Sequence, residues 1–239
     1  MSPAGFQAEA PTNFERKVPV VLVLDTSGSM SGTPIDLVNE GMRIFQEEVM
    51  SDATARARGD IAVVTFGGEV TVVRPFGLID GENPMPNTLQ TNGGTPLVDG
   101  TFKAIQLLKE RIDWYFESGQ DCYRPYLLIM TDGAPDAGQN VEKLKVDLQQ
   151  LQDYGYDSPK HLGHPRKFNV FVYGVDGADE AMLARFSPRQ PLKLRHEKFR
   201  EFFKYIATVT KAASKSKPED KLNVSPKNLQ VEDPFDVMA

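Results

Sequence analysis

The sequence predicts an α/β fold: a doubly wound, mostly parallel central sheet with one antiparallel edge strand and helices on both faces. Three observations predict it. Apolar runs such as Val18 to Leu24 and Tyr126 to Met130 lack the polar alternation of a half-exposed strand, so both faces of each should be covered. Between such runs lie stretches with apolar residues three and four apart, the spacing of one buried helix face. A Gly67-Gly68 pair separates two β-rich segments, and a two-residue glycine turn joins antiparallel neighbours. Parallel neighbours need crossover connections, so the strand and helix alternation implies the parallel sheet.

Val18 to Leu24 opens the fold as a central strand. Thr33-Pro34-Ile-Asp36 then offers a capping hydroxyl, a proline at the first helical position and a first-turn acid. Ile35, Val38, Met42, Phe45 and Val49 carry the buried stripe of that helix to about Met50. Gly59 to Phe66 and Glu69 to Phe76 form the hairpin, its second strand at the edge. Prolines 75, 84 and 86 mark a loop over roughly residues 77 to 94. Thr95-Pro96 repeats the cap-plus-proline start, and Leu97, Thr101, Ala104, Ile105, Leu108, Ile112 and Tyr115 share one helix face. Tyr126 to Met130 is the next buried strand, followed by a helix on Val141, Leu144, Leu148 and Leu151. After a loop over 155 to 166, Phe168 to Tyr173 returns as a strand and Ala178 to Phe186 as a short helix. Leu192 to Leu194 reads as a brief last strand, and Phe199, Phe202, Phe203, Ile206 and Val209 as a final amphipathic helix.

These elements place one domain over residues 17–213, after a flexible N-terminus at 1–16 and before a flexible tail at 214–239. The tail lacks apolar periodicity, yet Leu229-Gln-Val231 and Pro234-Phe-Asp-Val-Met238 set apolar residues among acids, as a docking segment would. An unstructured terminus and docking in cis or in trans all stay open. A length of 239 residues with 40% hydrophobic and 25% charged residues suits an ordinary globular chain. The net charge of −6, without a basic stripe, argues against nucleic acid. The apolar runs are too short for a bilayer, and the N-terminus has neither the basic start nor the apolar block of a secretory signal, so a cytoplasmic protein without membrane contact is expected. One cysteine, Cys122, excludes an internal disulfide and a thiolate metal cluster.

The chemistry concentrates at strand ends. Asp25, Ser27 and Ser29 follow the first apolar strand, Thr95 sits in Asn92-Gly-Gly-Thr-Pro96, and Asp132 follows Leu127 to Thr131. Ligands of doubly wound sheets bind beyond the carboxyl ends of the strands, where all five fall despite up to 107 positions of separation. A hard cation prefers oxygen ligands, and Mg²⁺ takes octahedral geometry at about 2.0 to 2.1 Å while keeping waters. Three neutral hydroxyls with two acids would leave such an ion electrophilic, seeking an external carboxylate. Taken alone, the Asp-Xaa-Ser-Xaa-Ser run fits a turn and helix cap equally well.

Asp25-Thr-Ser-Gly-Ser29, Thr95 and Thr131-Asp-Gly133 together resemble the metal-ion-dependent adhesion site (MIDAS) of von Willebrand factor type A (vWA) domains, over about residues 17 to 213. Within that family the chain is similar to bacterial TerY-like proteins of tellurium-resistance and stress clusters, through Val20 to Met30, Tyr173-Gly-Val175 with Ala178-Asp179, and Phe199 to Ile206. The resemblance implies a non-catalytic protein-protein interaction module. It implies Mg²⁺ or Mn²⁺ on Asp25, Ser27, Ser29, Thr95 and Asp132, with a partner's Glu or Asp completing the coordination. By analogy it also implies a scaffold in a stress, tellurium-resistance or antiphage pathway, with a protein kinase or phosphatase among the candidate partners. Many relatives have a small residue three positions after the site threonine, where this chain has Val98 followed by Asp99. Asp99 reads as an acceptor for a bound water or as a helix N-terminal acid, and Asp136 as a site neighbour or a solvated loop acid.

Two rival classes stand beside this one. A strand-end Asp with Mg²⁺ also suits a phosphohydrolase, but the acid such enzymes need two residues later is Ser27 here. Neither a Gly-Xaa-Ser-Xaa-Gly elbow nor a phosphate-binding loop occurs. The other rival is a domain that binds partners without metal. His161 and His164 have the spacing of a ligand pair but lack companions, so they read as loop histidines. His196 reads as a capping or surface residue, and Trp114 as part of a packed helix face.

Overall fold

All eight residues of β1 (Val18–Asp25) are buried because the strand feeds two cores at once. Val18, Val20, Leu22 and Leu24 face one core and Val21 and Val23 the other, which is why the run does not alternate. The computed structural model describes residues 15–175, 177–195, 198–215 and 235–236. After β1 come α1 (Thr33–Met50), α2 (Ala53–Arg58), β2 (Gly59–Gly67), β3 (Glu69–Gly77), α3 (Leu97–Glu117) and β4 (Tyr126–Thr131). Then follow α4 (Val141–Asp153), β5 (Asn169–Val175), α5 (Glu180–Phe186), β6 (Leu192–Leu194), α6 (Phe199–Lys215) and β7 (Phe235–Asp236).

The strands lie in the order β3-β2-β1-β4-β5-β6-β7. Pairings from β2 through β6 are parallel, and β3 closes one edge antiparallel to β2, as the glycine turn predicts. At the other edge β7 adds a second antiparallel pair, Lys193 opposite Asp236 and Leu194 opposite Phe235. Helices α1 and α6 supply one core, and α3, α4 and α5 the other. The predicted stripes on α1, α3 and α6 are the buried ones. Sequence reading missed α2, a single short helix without an apolar repeat, which the Asp52 carboxylate caps by accepting the Ala55 amide.

Both threonine caps fail. Thr33 already lies inside α1 behind Gly32, and Pro96 takes the cap position of α3, with no side-chain cap bond at either. Gln139 meets that need for α3 from another loop, its Oε1 accepting the Val98 amide at 2.7 Å. At the C-terminus α6 continues two residues into the segment read as tail. Ser214 is fully buried there, its carbonyl accepting from Arg58, and Lys215 pairs with Asp52 at 2.5 Å. The expectations for residues 1–14, for the Leu229 to Val231 docking segment and for His196 lie outside the described residues.

The long loop between β3 and α3 is held from below. Buried Arg74 donates to the carbonyls of Ile61, Gly77, Leu78, Asn83 and Pro84, and burial pulls its pKa down to about 10. From α1, the Asn39 amide bonds both backbone groups of Leu89 at 3.0 and 2.7 Å, and Gln46 accepts the Met85 amide. The loop therefore delivers its last residues to a fixed place.

Two outcomes check this packing. A Cβ on Gly41 would sit 1.9 Å from the Phe203 ring, so Gly41→Ala should push α1 from α6 and cost about 1 to 3 kcal/mol in urea unfolding. Burial pushes the Cys122 thiol up to about 12, so a thiol reagent at pH 8 should label it only at the rate at which the chain opens; rapid labelling without denaturant would contradict the packing.

Candidate metal centre

From β1 the chain proceeds to β2 and β3 on one side and only later returns to β4 on the other. Sheet order thus reverses between β1 and β4, the point where a crevice opens beyond the strand ends. Asp25 ends β1 and Thr131 ends β4, one step past the register pair Leu24 and Met130.

Asp25 is only 1% exposed. Its Oδ1 accepts the Ser27 amide at 2.8 Å and its Oδ2 accepts Thr131 Oγ1 at 2.5 Å. Ser27 is equally buried, and its Oγ lies 3.1 Å from the Oγ of exposed Ser29. Ser29 Oγ in turn donates to Asp132 Oδ1 at 2.9 Å. Four of the five predicted residues therefore form one connected set running from the sheet to the surface. The fifth, Thr95, enters from the opposite loop, with its Oγ1 3.9 Å from where a Cβ on Gly133 would stand.

Three loops meet here, and each is tied to the other two. The Gly28 amide donates to the Gly93 carbonyl at 2.9 Å, and the Asn92 amide to the Thr26 carbonyl at 2.8 Å. Thr95 and Asp136 bond reciprocally, the Thr95 amide to Asp136 Oδ1 at 2.9 Å and the Asp136 amide to the Thr95 carbonyl at 3.0 Å. A Cβ on Gly94 would lie 2.8 Å from both Asp136 carboxylate oxygens, so a side chain here would displace the Asp136 carboxylate from the Thr95 amide. Asp136 is thus a positioning residue that sequence reading left ambiguous, since nothing local in Ala134-Pro-Asp136 reveals a partner 41 positions away. Thr131, quoted within its motif but given no role, orients Asp25. Asp99 is an exposed first-turn acid of α3 that accepts from Gln139 Nε2 at 3.3 Å, so it serves the helix end.

Burial raises the Asp25 pKa above the usual carboxylate value. The Ser27 and Thr131 hydrogen bonds oppose that rise, and the neighbouring Asp132 charge adds to it. Neither acid has a Lys, Arg or His ion-pair partner among the described residues. Ser27 and Thr95 spend no hydroxyl on a helix cap, while Asp25 does hold the turn through the Ser27 amide. All five donors are oxygen, the chemistry that a hard divalent cation takes. No group of three or more His, Cys, Asp or Glu that could hold a metal occurs among the described residues, so a site with two acids and three hydroxyls is of a different kind. His161 and His164 stack on each other at 4.4 Å, and His161 on Phe116 at 4.5 Å.

No helix among the described residues is long and apolar enough to cross a membrane. Residues 20–134 match the family model of the von Willebrand factor type A domain. The inter-alpha-trypsin inhibitor heavy chain H4 of Sus scrofa is 24% identical over 154 residues, 59% of this chain, and the chain spans only 16% of that relative. Among solved structures, the von Willebrand factor domain of the type V pili tip protein of Porphyromonas gingivalis aligns at TM-score 0.55 and 12% identity, covering 87% of this chain and 99% of that one. The pilus adhesin SpaC from Lactobacillus rhamnosus GG, in its open conformation, gives 0.56 and 13%, over 86% of this chain and 30% of that one. Proximal thread matrix protein 1 from the mussel byssus gives 0.51 and 16%, over 84% and 47%. The matched segment contains Asp25, Ser27, Ser29, Thr95 and Asp132, and the solved structures share this chain's fold.

Proposed function

We propose that this domain is a non-catalytic, metal-dependent binding module in which Asp25, Ser27, Ser29, Thr95 and Asp132 hold Mg²⁺ or Mn²⁺ and a partner's Glu or Asp completes the coordination. One observation carries the reading: two acids without a countercharge among the described residues share a hydrogen-bonded chain of hydroxyls at the sheet's switch point. Bound there, the cation supplies a Lewis-acidic centre for an outside carboxylate. Asp25 anchors from below, locked by Thr131. Ser29 stands exposed at the rim, where a partner can reach the centre. With only two negative charges, the residues neutralise a divalent ion without surplus, and any coordination position they leave open is free for a further carboxylate.

A phosphohydrolase has no support here. The position two residues beyond Asp25 is Ser27, engaged with Ser29 and without an acid's capacity to transfer protons. The bacterial stress, tellurium-resistance or phage-defence setting, a kinase or phosphatase partner and a cytoplasmic location belong to the same reading and rest on the resemblance to TerY-like proteins.

Thermal melts test the ligand set. At a metal concentration 100-fold above Kd, Mg²⁺ or Mn²⁺ should stabilise the wild type by about 2.7 kcal/mol, and Asp25→Ala or Asp132→Ala should abolish the increment while the metal-free protein stays folded. Undiminished metal affinity in both variants would reject the assignment. Asp136→Ala should loosen the Thr95 loop and weaken metal binding about tenfold or more, as loss of an outer support does, without changing the far-ultraviolet spectrum. Capture of partners from lysate should weaken with EDTA, and indifference to the chelator would favour binding through another surface.

A further inference from the structure

A groove of about 250 Å³ begins where the metal loops end. Its floor is the exposed face of the β2-β3 hairpin and its far wall the 88–92 segment. It is continuous with the centre because the Gly68 amide donates to the Gly94 carbonyl at 2.9 Å, and Thr26 and Asn92, which line the groove, are bonded to each other beside Ser27. The lining is unusual for a hairpin edge. Thr26 and Thr65 are 5% and 6% exposed, yet neither hydroxyl has a hydrogen-bond partner among the described residues. Thr71, Gln90 and Asn92 add exposed hydrogen-bonding groups. Both hydroxyls reach the groove rather than the core, so its floor offers hydrogen-bonding groups that the protein itself does not use.

Glu69 is the only charged residue lining the groove among those described, and it has no ion-pair partner. It stands with Thr71 and Val73 on the same face of β3, a run of about 14 Å at strand spacing. An extended segment of four or five residues spans that length. The volume falls below the roughly 300 Å³ at which pockets for small organic ligands begin, which fits side chains laid along a shallow channel.

We infer that the groove is the specificity surface of the metal centre, and that its occupant is an extended polypeptide carrying an Asp or Glu for the metal and, a few residues away, a Lys or Arg for Glu69. The inference rests on the metal reading above. The acid supplies the metal-dependent contact, and the base selects among the many acidic segments that a bare cation would accept. The Thr26 and Thr65 hydroxyls take the polar groups of the residues between.

A display library of 12-residue peptides, each with one fixed Glu and all other positions random, tests this on the full chain in Mg²⁺ and in EDTA. Peptides retained only in Mg²⁺ should be enriched in Lys or Arg within five positions of the fixed Glu. Individual members should bind Glu69→Lys at least tenfold more weakly, and selection on that variant should favour a second acid instead. Thr65→Val, which keeps the shape, should weaken them severalfold with unchanged melting temperature. Mg²⁺-dependent peptides lacking a basic preference and indifferent to both substitutions would overturn the groove assignment and leave the metal function standing. No Mg²⁺-dependent retention of any peptide would overturn the metal function, and this inference with it.

Discussion

The hydrogen bond from Thr131 Oγ1 to Asp25 Oδ2, 2.5 Å long, joins the ends of two parallel strands where the sheet reverses, and the site hangs on it. A carboxylate at 1% exposure has lost its water and must find donors within the protein. Thr131 and the Ser27 amide supply them, one to each oxygen. Hydrogen bonds to a charged group contribute about 1.5 to 3 kcal/mol each, enough to hold the acid in place yet not enough to offset full burial of its charge. The same pair fixes both Asp25 oxygens in direction. What remains unmet is electrostatic, and it is met by a cation or by a proton.

The closure of three loops follows from backbone contacts more than from side chains. Gly28 to Gly93 and Thr26 to Asn92 join the first loop to the second, Thr95 to Asp136 joins the second to the third, and Asp25 to Thr131 closes the triangle. Glycine is required where backbones approach within a Cβ radius, as at Gly93, where a Cβ would lie 2.6 Å from the Gly68 Cα. The rigidity of the triangle is prepared far below it, where Arg74 gathers five carbonyls and Asn39 clamps Leu89. A loop so held brings Thr95 to the centre with little entropy left to lose on binding.

The elements, and the placing of the five candidate residues at one sheet edge, were legible because each depends on local pattern. Non-alternating apolar runs mark strands covered on both faces, and acids or hydroxyls directly after them can only emerge at the strand ends. Thr33 and Thr95 misled for the same reason. Each is followed by proline, the local signature of a cap, but the α3 start is satisfied by Gln139 from a different crossover. Asp136 and Arg74 were opaque because their partners are backbone groups, which carry no sequence identity. The short β7 pairing was hidden too, since two residues at an edge make no periodicity.

Charge resolves how an acidic chain could favour an acidic partner. A net charge of −6 repels such a partner at long range, but screening limits that repulsion to about 8 Å at physiological ionic strength. Inside that distance a divalent ion on two carboxylates is neutral as a unit, so the repulsion ends there and a coordination position left open takes the partner's carboxylate. Encounter is therefore slow unless the partner also carries positive charge beside its acid. Glu69, exposed and without a countercharge among the described residues, supplies the local field that would favour a mixed-charge segment. Selectivity then lies in the distance between two opposite charges, a quantity that a rigid hairpin beside a rigid centre can measure.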